Sequence, residues 1–457
     1  MVTKHGWLAC LAVGCADPRA LTPTPELVPA VDTNPDPAIV EVTLVATASS
    51  ADYLGGVSTP VLAYRDGSIE GSARVPGPLI EATVGDRLIV HFRNELDRST
   101  TIHWHGLRLP IEMDGDPTVN GAVPPGGTFD YDIMLKDAGL FWYHPHVETD
   151  EQIELGLQGP LLVHAAVEPA VDADRTFVLD DVDLQADHAI RIEPSRDDLM
   201  LGRHGDTILV NGAIPGQIVS SPNAIERWRF VNTANGRFFR LSLGGRRLRV
   251  IGWDGGLVSS PYEVTELLVA PGERYDLLVA LDGAPGDVIA LETLEVPRGT
   301  DASDAGFELV RFELDGLPLD VRALPTVAGD VPPLATTSQT TVRTFRLTED
   351  LDGQAGTVFF INDERWPFNI PIDVTLGATE IWEIVNDNDH EHPFHIHGHF
   401  AQVLGAEPVG WKDTIVVAAR STVRAALRYE EPGKWMAHCQ IPEHAERGMT
   451  ADVNVIP

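Results

Sequence analysis

One phrase recurs three times along the chain and limits what it can fold into. Val84-Gly-Asp-Arg-Leu-Ile-Val-His-Phe-Arg-Asn94 resembles Ile225-Glu-Arg-Trp-Arg-Phe-Val-Asn232 and Thr379-Glu-Ile-Trp-Glu-Ile-Val-Asn386. Each is a β-branched and aromatic run that stops at Asn, as a strand does on entering a turn. A second phrase recurs with it: Gly126-Gly-Thr-Phe-Asp-Tyr-Asp132, Pro271-Gly-Glu-Arg-Tyr-Asp-Leu-Leu-Val279 and Arg420-Ser-Thr-Val-Arg-Ala-Ala426 each read as a turn followed by a strand. Repetition on this scale means three copies of one unit. Frequent Gly and Pro (41 and 34 residues) and almost no sustained 3.6-residue periodicity make that unit all-β. The predicted architecture is three consecutive Greek-key β-barrels over residues 38–168, 169–335 and 336–457, with the Pro-rich stretch from Leu317 to Thr341 at the second crossing.

Histidines sit on two of the three copies. Nine residues after Asn94 comes His103, and nine after Asn386 comes His395, so His103-Trp-His105 matches His395-Ile-His397. The middle copy has Leu241 and Leu243 there. Likewise Gly139-Leu-Phe-Trp-Tyr-His144-Pro-His146 matches Gly433-Lys-Trp-Met-Ala-His438-Cys439-Gln440. Alternation along a strand puts both members of each His-x-His pair on one face. If the first and third copies pack face to face, seven imidazoles from four strands converge, which implies two or three metal ions. Cys439 points away from His438 and Gln440 and belongs to a separate ion, on the order of 10 Å off. His444 follows it by five residues and Met449 by ten, with His392 upstream. Thiolate, two imidazoles and a weak axial thioether are the ligands of a blue-copper centre. One site that collects electrons beside a multinuclear site that spends them is a layout for reducing dioxygen.

The formal charge of -35 argues against nucleic acid as a partner. No apolar run reaches the ~18 residues of a membrane span. The N-terminus carries Lys4 and His5, a short apolar run from Trp7 to Gly14, and then Cys15. That order reads as a secretory signal of the lipoprotein type, with Cys15 as the candidate lipid anchor. Pro-rich sequence to about residue 37 reads as a tether. An exported monomer, periplasmic or at the cell surface, is the expectation. Cys10 and Cys15 lie in the signal, so Cys439 is the only thiol left to the mature chain, and no disulfide is expected.

His103-Trp-His105-Gly106, His144-Pro-His146, His392-Pro-Phe-His395-Ile-His397 and His438-Cys439 through His444 to Met449 resemble the four motifs of the multicopper oxidases. The likeness covers nearly everything after residue 40 and is greatest to three-domain bacterial laccase-like enzymes. It implies cupredoxin-like domains and four coppers. The type 1 copper would be held by His392, Cys439, His444 and Met449, and the type 2 copper by His103 and His395. One type 3 copper would be held by His146, His397 and His438, the other by His105 and His144. Asp114 and Glu443 match the acids that relay protons to oxygen in similar enzymes.

One position departs from the pattern. The family motif and the internal repeat both call for His at 440, and this chain has Gln440. A Gln amide oxygen is a harder, weaker ligand for copper than imidazole. Gln440 ligates through oxygen, or water fills its place, or that copper is often absent. The acidic run Glu148-Thr-Asp-Glu-Gln-Ile-Glu154 is a further source of a carboxylate. His390 and His399 flank the third motif at the wrong spacing and read as non-ligands. The resemblance implies a laccase-like oxidase in which phenols, aromatic amines or metal ions give single electrons at the exposed edge of His392 or His444, and dioxygen takes four to become water. The alternative is a blue-copper electron-transfer or copper-binding protein whose cluster is impaired by Gln440. Six Met in the whole chain speak against a Met-rich cuprous-ion site.

Overall fold

A computed structural model describes residues 22–299, 302–353 and 356–457. The signal reading, with Cys10 and Cys15, lies outside the described residues. Six principal sheets form three two-sheet units, and no sheet mixes strands of different units. In the first unit a sheet of Thr59–Asp66, Ile39–Ala51, Arg87–Asn94 and Thr128–Met134 faces one of Ile80–Thr83, Gly159–His164, Gly139–His144 and His103–His105. Sheets of six and five strands make the second unit, and two of five strands the third. No strand falls in 165–172 or 315–340, where the chain crosses between units.

The repeated Asn explains why the same phrase recurs. Asn94, Asn232 and Asn386 are all buried at strand ends. Each side chain accepts from the backbone N–H two residues on, at 2.9, 3.1 and 2.9 Å. Each donates to a carbonyl four or five residues on, Arg98, Arg237 or His390. Each also donates to a distant carbonyl, Val123, Val269 or Val417. One amide thus satisfies a tight turn and ties it to a second segment, a task that needs both a donor and an acceptor. In every unit the Asn strand pairs in parallel with the unit's first strand.

One continuous apolar core runs through units one and three, from Val40 to Val455. Unit two has a core of its own, in which Leu241 and Leu243 are buried. The first and third units therefore present their histidine strands to each other. Leu241 and Leu243, which take the histidines' places in unit two, serve packing alone.

The predicted tether to residue 37 is corrected in part. From residue 24 the chain is a strap across units one and two: Thr24 N–H donates to Gln217 O, Ala30 N–H to Leu79 O, and Leu79 N–H to Val28 O. Asn211 Nδ2 donates to the Pro25 carbonyl at 3.0 Å. Main-chain and side-chain bonds of this kind hold prolines that a free tether would leave in water.

Candidate metal centres

Two antiparallel pairings bring the motifs into register. His103 lies opposite His144 in unit one, and His395 opposite His438 in unit three. The two units then interlock their rings, His103 over His397 at 3.9 Å and His105 over His395 at 3.7 Å. Stacking at this distance requires neutral imidazoles, and burial pushes the pKa of His105, His144, His146, His395 and His397 down. His438 is pushed down to about 3, again chiefly by burial.

The hydrogen bonds decide which nitrogen of each ring is free. His103, His144, His395 and His438 each turn Nδ1 to a backbone carbonyl, of Asp114, Pro145, Asp413 and Cys439, at 2.8–3.0 Å. An Nδ1–H donor leaves the lone pair on Nε2. His105 is reversed, with Nε2 3.1 Å from Asp413 Oδ1 and the lone pair on Nδ1. His397 turns Nδ1 to Asp114 Oδ2 at 2.8 Å. The nitrogens left over, Nε2 of His103, His144, His146 and His395 and Nδ1 of His105, are buried and have no hydrogen-bond partner. His397 Nε2 and His438 Nε2 face each other at 2.9 Å. Opposed lone pairs in a buried cluster are costly without a cation between them. Metal ligands whose other ring nitrogen is anchored in this way are oriented and tautomer-fixed.

Gln440 belongs to this cluster. It is buried, and its Oε1 also lacks a partner. Thr149–Glu154 forms a short helix in which Glu151 pairs with Arg98 at 2.5 Å. Exposed Glu148 lines a cavity of about 290 Å³ together with His144, His146, His438, Gln440 and Glu446.

On the other face of the same strand lies the second centre. Cys439 Sγ is 3.5 Å from Nδ1 of His392 and 3.5 Å from Nδ1 of His444, and those nitrogens are 3.2 Å apart. A point about 2 Å from all three exists at the triangle's centre, close to a metal–imidazole bond length. Burial pushes the Cys439 thiol up and both imidazoles down, so thiolate forms there only against a cation. The outer nitrogens have different partners: His444 Nε2 faces the Met200 carbonyl at 3.2 Å, and the Asn388 Nδ2 amide group faces His392 Nε2 at 2.8 Å. Met449 is fully buried, and its carbonyl accepts from Cys439 N–H.

The exposed histidine edge expected here is not found, because both His392 and His444 are fully buried. The helix Arg196–Leu201 of unit two lies against His444 through the Met200 carbonyl, and is begun by a capping box between Ser195 and Asp198. His390 lies 3.1 Å from Glu349, and His399 turns Nδ1 to the His397 carbonyl. Asp114 touches two ligand rings, whereas Glu443 points to unit two, accepting from Asn235 Nδ2 at 2.9 Å. Burial pushes Glu443 up to about 7. The residues missed from sequence are Asp413, Thr414, Asn388 and Met200, all of which form hydrogen-bond contacts with candidate ligand rings. The charged pair Lys412-Asp413 inside the run Trp411 to Val417 was the one local sign.

Models of multicopper oxidase domains match residues 63–168, 183–291 and 333–457. Multicopper oxidase MmcO of Mycobacterium tuberculosis is 31% identical over 447 residues, covering 88% of this chain and 84% of that protein. The chain belongs to the multicopper oxidase family. Laccase-1 of Cryptococcus neoformans is 28% identical, with 84% of this chain and 76% of the relative covered. Among solved structures, the multicopper oxidase McoA of Aquifex aeolicus superposes with a TM-score of 0.81 at 29% identity, covering 95% of this chain and all of that one. The multicopper oxidase of Campylobacter jejuni, described as a metallo-oxidase, gives 0.83 at 26%, with 96% and 97% covered. The protein is a laccase-like copper oxidoreductase that passes electrons from small-molecule donors to dioxygen.

Proposed function

We propose that this multicopper oxidase holds four coppers. His392, Cys439, His444 and Met449 hold the type 1 ion, and His103 and His395 the type 2 ion. His146, His397 and His438 hold one type 3 ion, and His105, His144 and the Gln440 amide oxygen the other. The observation that carries this reading is the set of buried, unpartnered ligand atoms, Gln440 Oε1 among them. Bound there, copper supplies one-electron oxidation at the type 1 site and four-electron reduction of dioxygen to water at the cluster.

The chain's own groups do the rest. Cys439 and His438 are neighbours on one strand, so a covalent path joins the two centres. The helix Arg196–Leu201 keeps bulk water from His444, and donors give electrons across it rather than by touching the ring. Asp114 orients His103 and His397 and is the acid placed to hand protons inward. Glu443 holds a proton up to about neutral pH and is proposed as the second relay group. Phenols, aromatic amines and metal ions are the donor classes; similarity to laccases and to a metallo-oxidase supports that breadth. Export, to the periplasm or cell surface with or without a lipid on Cys15, and a monomeric state complete the proposal.

Dioxygen uptake by the copper-loaded chain with a simple phenol tests it. Four donor molecules consumed per dioxygen, with no peroxide released, is the expected result. A blue protein that consumes no dioxygen would refute it.

A further inference from the structure

Unit two supplies no copper ligand, yet one of its turns reaches the cluster. Arg274 is fully buried and uses all five of its N–H groups. Nε donates to the Leu140 carbonyl of unit one at 2.9 Å. Nη1 and Nη2 donate to the Gly272 and Asp254 carbonyls of unit two at 3.0 Å each. The remaining two form a bidentate pair with Asp413 of unit three, at 2.7 and 2.5 Å. One guanidinium therefore joins all three units.

Its carboxylate partner is also the anchor of a ligand. Asp413 Oδ1 accepts from His105 Nε2 at 3.1 Å and from Thr414 Oγ1 at 2.9 Å. The Asp413 carbonyl faces His395 Nδ1 at 3.0 Å. Bidentate pairing with Arg fixes the carboxylate plane, and the carboxylate in turn fixes which nitrogen of His105 keeps its lone pair. Two residues before Arg274, Gly272 has φ +81°. A Cβ there would lie 2.6 Å from Gln440 Cγ and 3.1 Å from His105 Cε1. The turn thus borders both unusual members of the same half-site.

We propose that the turn Gly272–Arg274 of unit two is the positioning element of the type 3 site made by His105, His144 and Gln440, setting His105 through Asp413 and leaving through Gly272 the space that Gln440 occupies. The proposal rests on the ligand reading of that site given above. In the opposite half-site the anchor of His397 comes from unit one, through Asp114. Where two imidazoles and an amide replace three imidazoles, positioning by a rigid arm makes up for a weaker ligand.

Copper retention against a graded chelator tests it, read as copper per chain, the blue type 1 absorption and the paramagnetic resonance of copper. Gly272→Ala and Asp413→Asn are compared with Arg274→Lys and the unaltered protein. Both of the first two are expected to keep the blue band and to hold one copper about 10–100-fold less tightly, the range for groups that orient a ligating imidazole. The partner type 3 ion, no longer magnetically coupled, then gives a new resonance. Arg274→Lys keeps the charge without the fork and is expected to fall between. Unchanged retention in Gly272→Ala and Asp413→Asn would overturn the proposal. So would loss of the blue band along with the copper in every variant, which would make the turn a support of the fold and not of the half-site. Fewer than four coppers in the unaltered protein would instead refute the ligand reading beneath it.

Discussion

The two halves of the proposed type 3 site rest on similar antiparallel strand pairings, His103 opposite His144 and His395 opposite His438, but are finished differently. In one, His397 and His438 face each other across 2.9 Å with His146 beside them and Asp114 behind. In the other, His105 and His144 lie against Trp142, with ring centroids 5.1 and 4.2 Å from it, and Gln440 stands where the repeat calls for a third imidazole. The repeat fixes where a ligand must be, whereas the side chain placed there sets how firmly metal is held. An amide oxygen keeps the position filled and the cavity wall intact at the cost of ligand strength.

Removing the electron supply leaves both halves in place and has the largest effect. Cys439→Ser is expected to abolish the blue band and bring turnover to background while the cluster coppers stay bound; a blue variant would contradict the type 1 assignment. Next come single losses from each half. His144→Ala leaves one imidazole and an amide, and its copper is expected to be lost on dialysis. His397→Ala leaves two imidazoles, as in the natural Gln440 half, and is expected to retain more copper than His144→Ala. Equal retention would erase the difference between the halves.

Restoring the third imidazole has a smaller effect of the opposite sign. Gln440→His is expected to hold the fourth copper about tenfold more tightly, in line with the weight of single groups at metal sites, and to turn over faster. The smallest effect is acid sensitivity of the copper-free fold. An imidazole buried as His438 is, pushed down to about 3, stays neutral when folded and takes a proton near 6.5 when unfolded. Stability is then lost as pH falls below 6.5, by ~2 kcal/mol per such group at pH 5. Copper-free Gln440→His should therefore lose more stability between pH 7 and 5 than the copper-free parent, because Gln440 does not titrate. Parallel melting curves of the two proteins would contradict the burial argument.

The clustering of the histidines and Cys439 was legible because each motif lies within a dozen residues, and period-two alternation turns spacing into geometry. The repeated Asn was visible as a strand end, but its three-way hydrogen bonding was not. Contacts across units were closed to local pattern. His105 meets Asp413 over 308 residues of sequence and Arg274 meets it over 139. The cover over His444 comes from a helix in a unit without ligands, so an exposed edge was the natural expectation from the motif alone. The Pro-rich segment before residue 37 gave no hydrophobic period to mark it as packed, since it is held through backbone bonds to its neighbours.

Copper per chain, measured on fully loaded and dialysed protein, bears most directly on the claim that Gln440 completes the cluster. Four coppers with an intact blue band is the expected result. Three coppers with the blue band intact would contradict it, placing an empty half-site at His105 and His144.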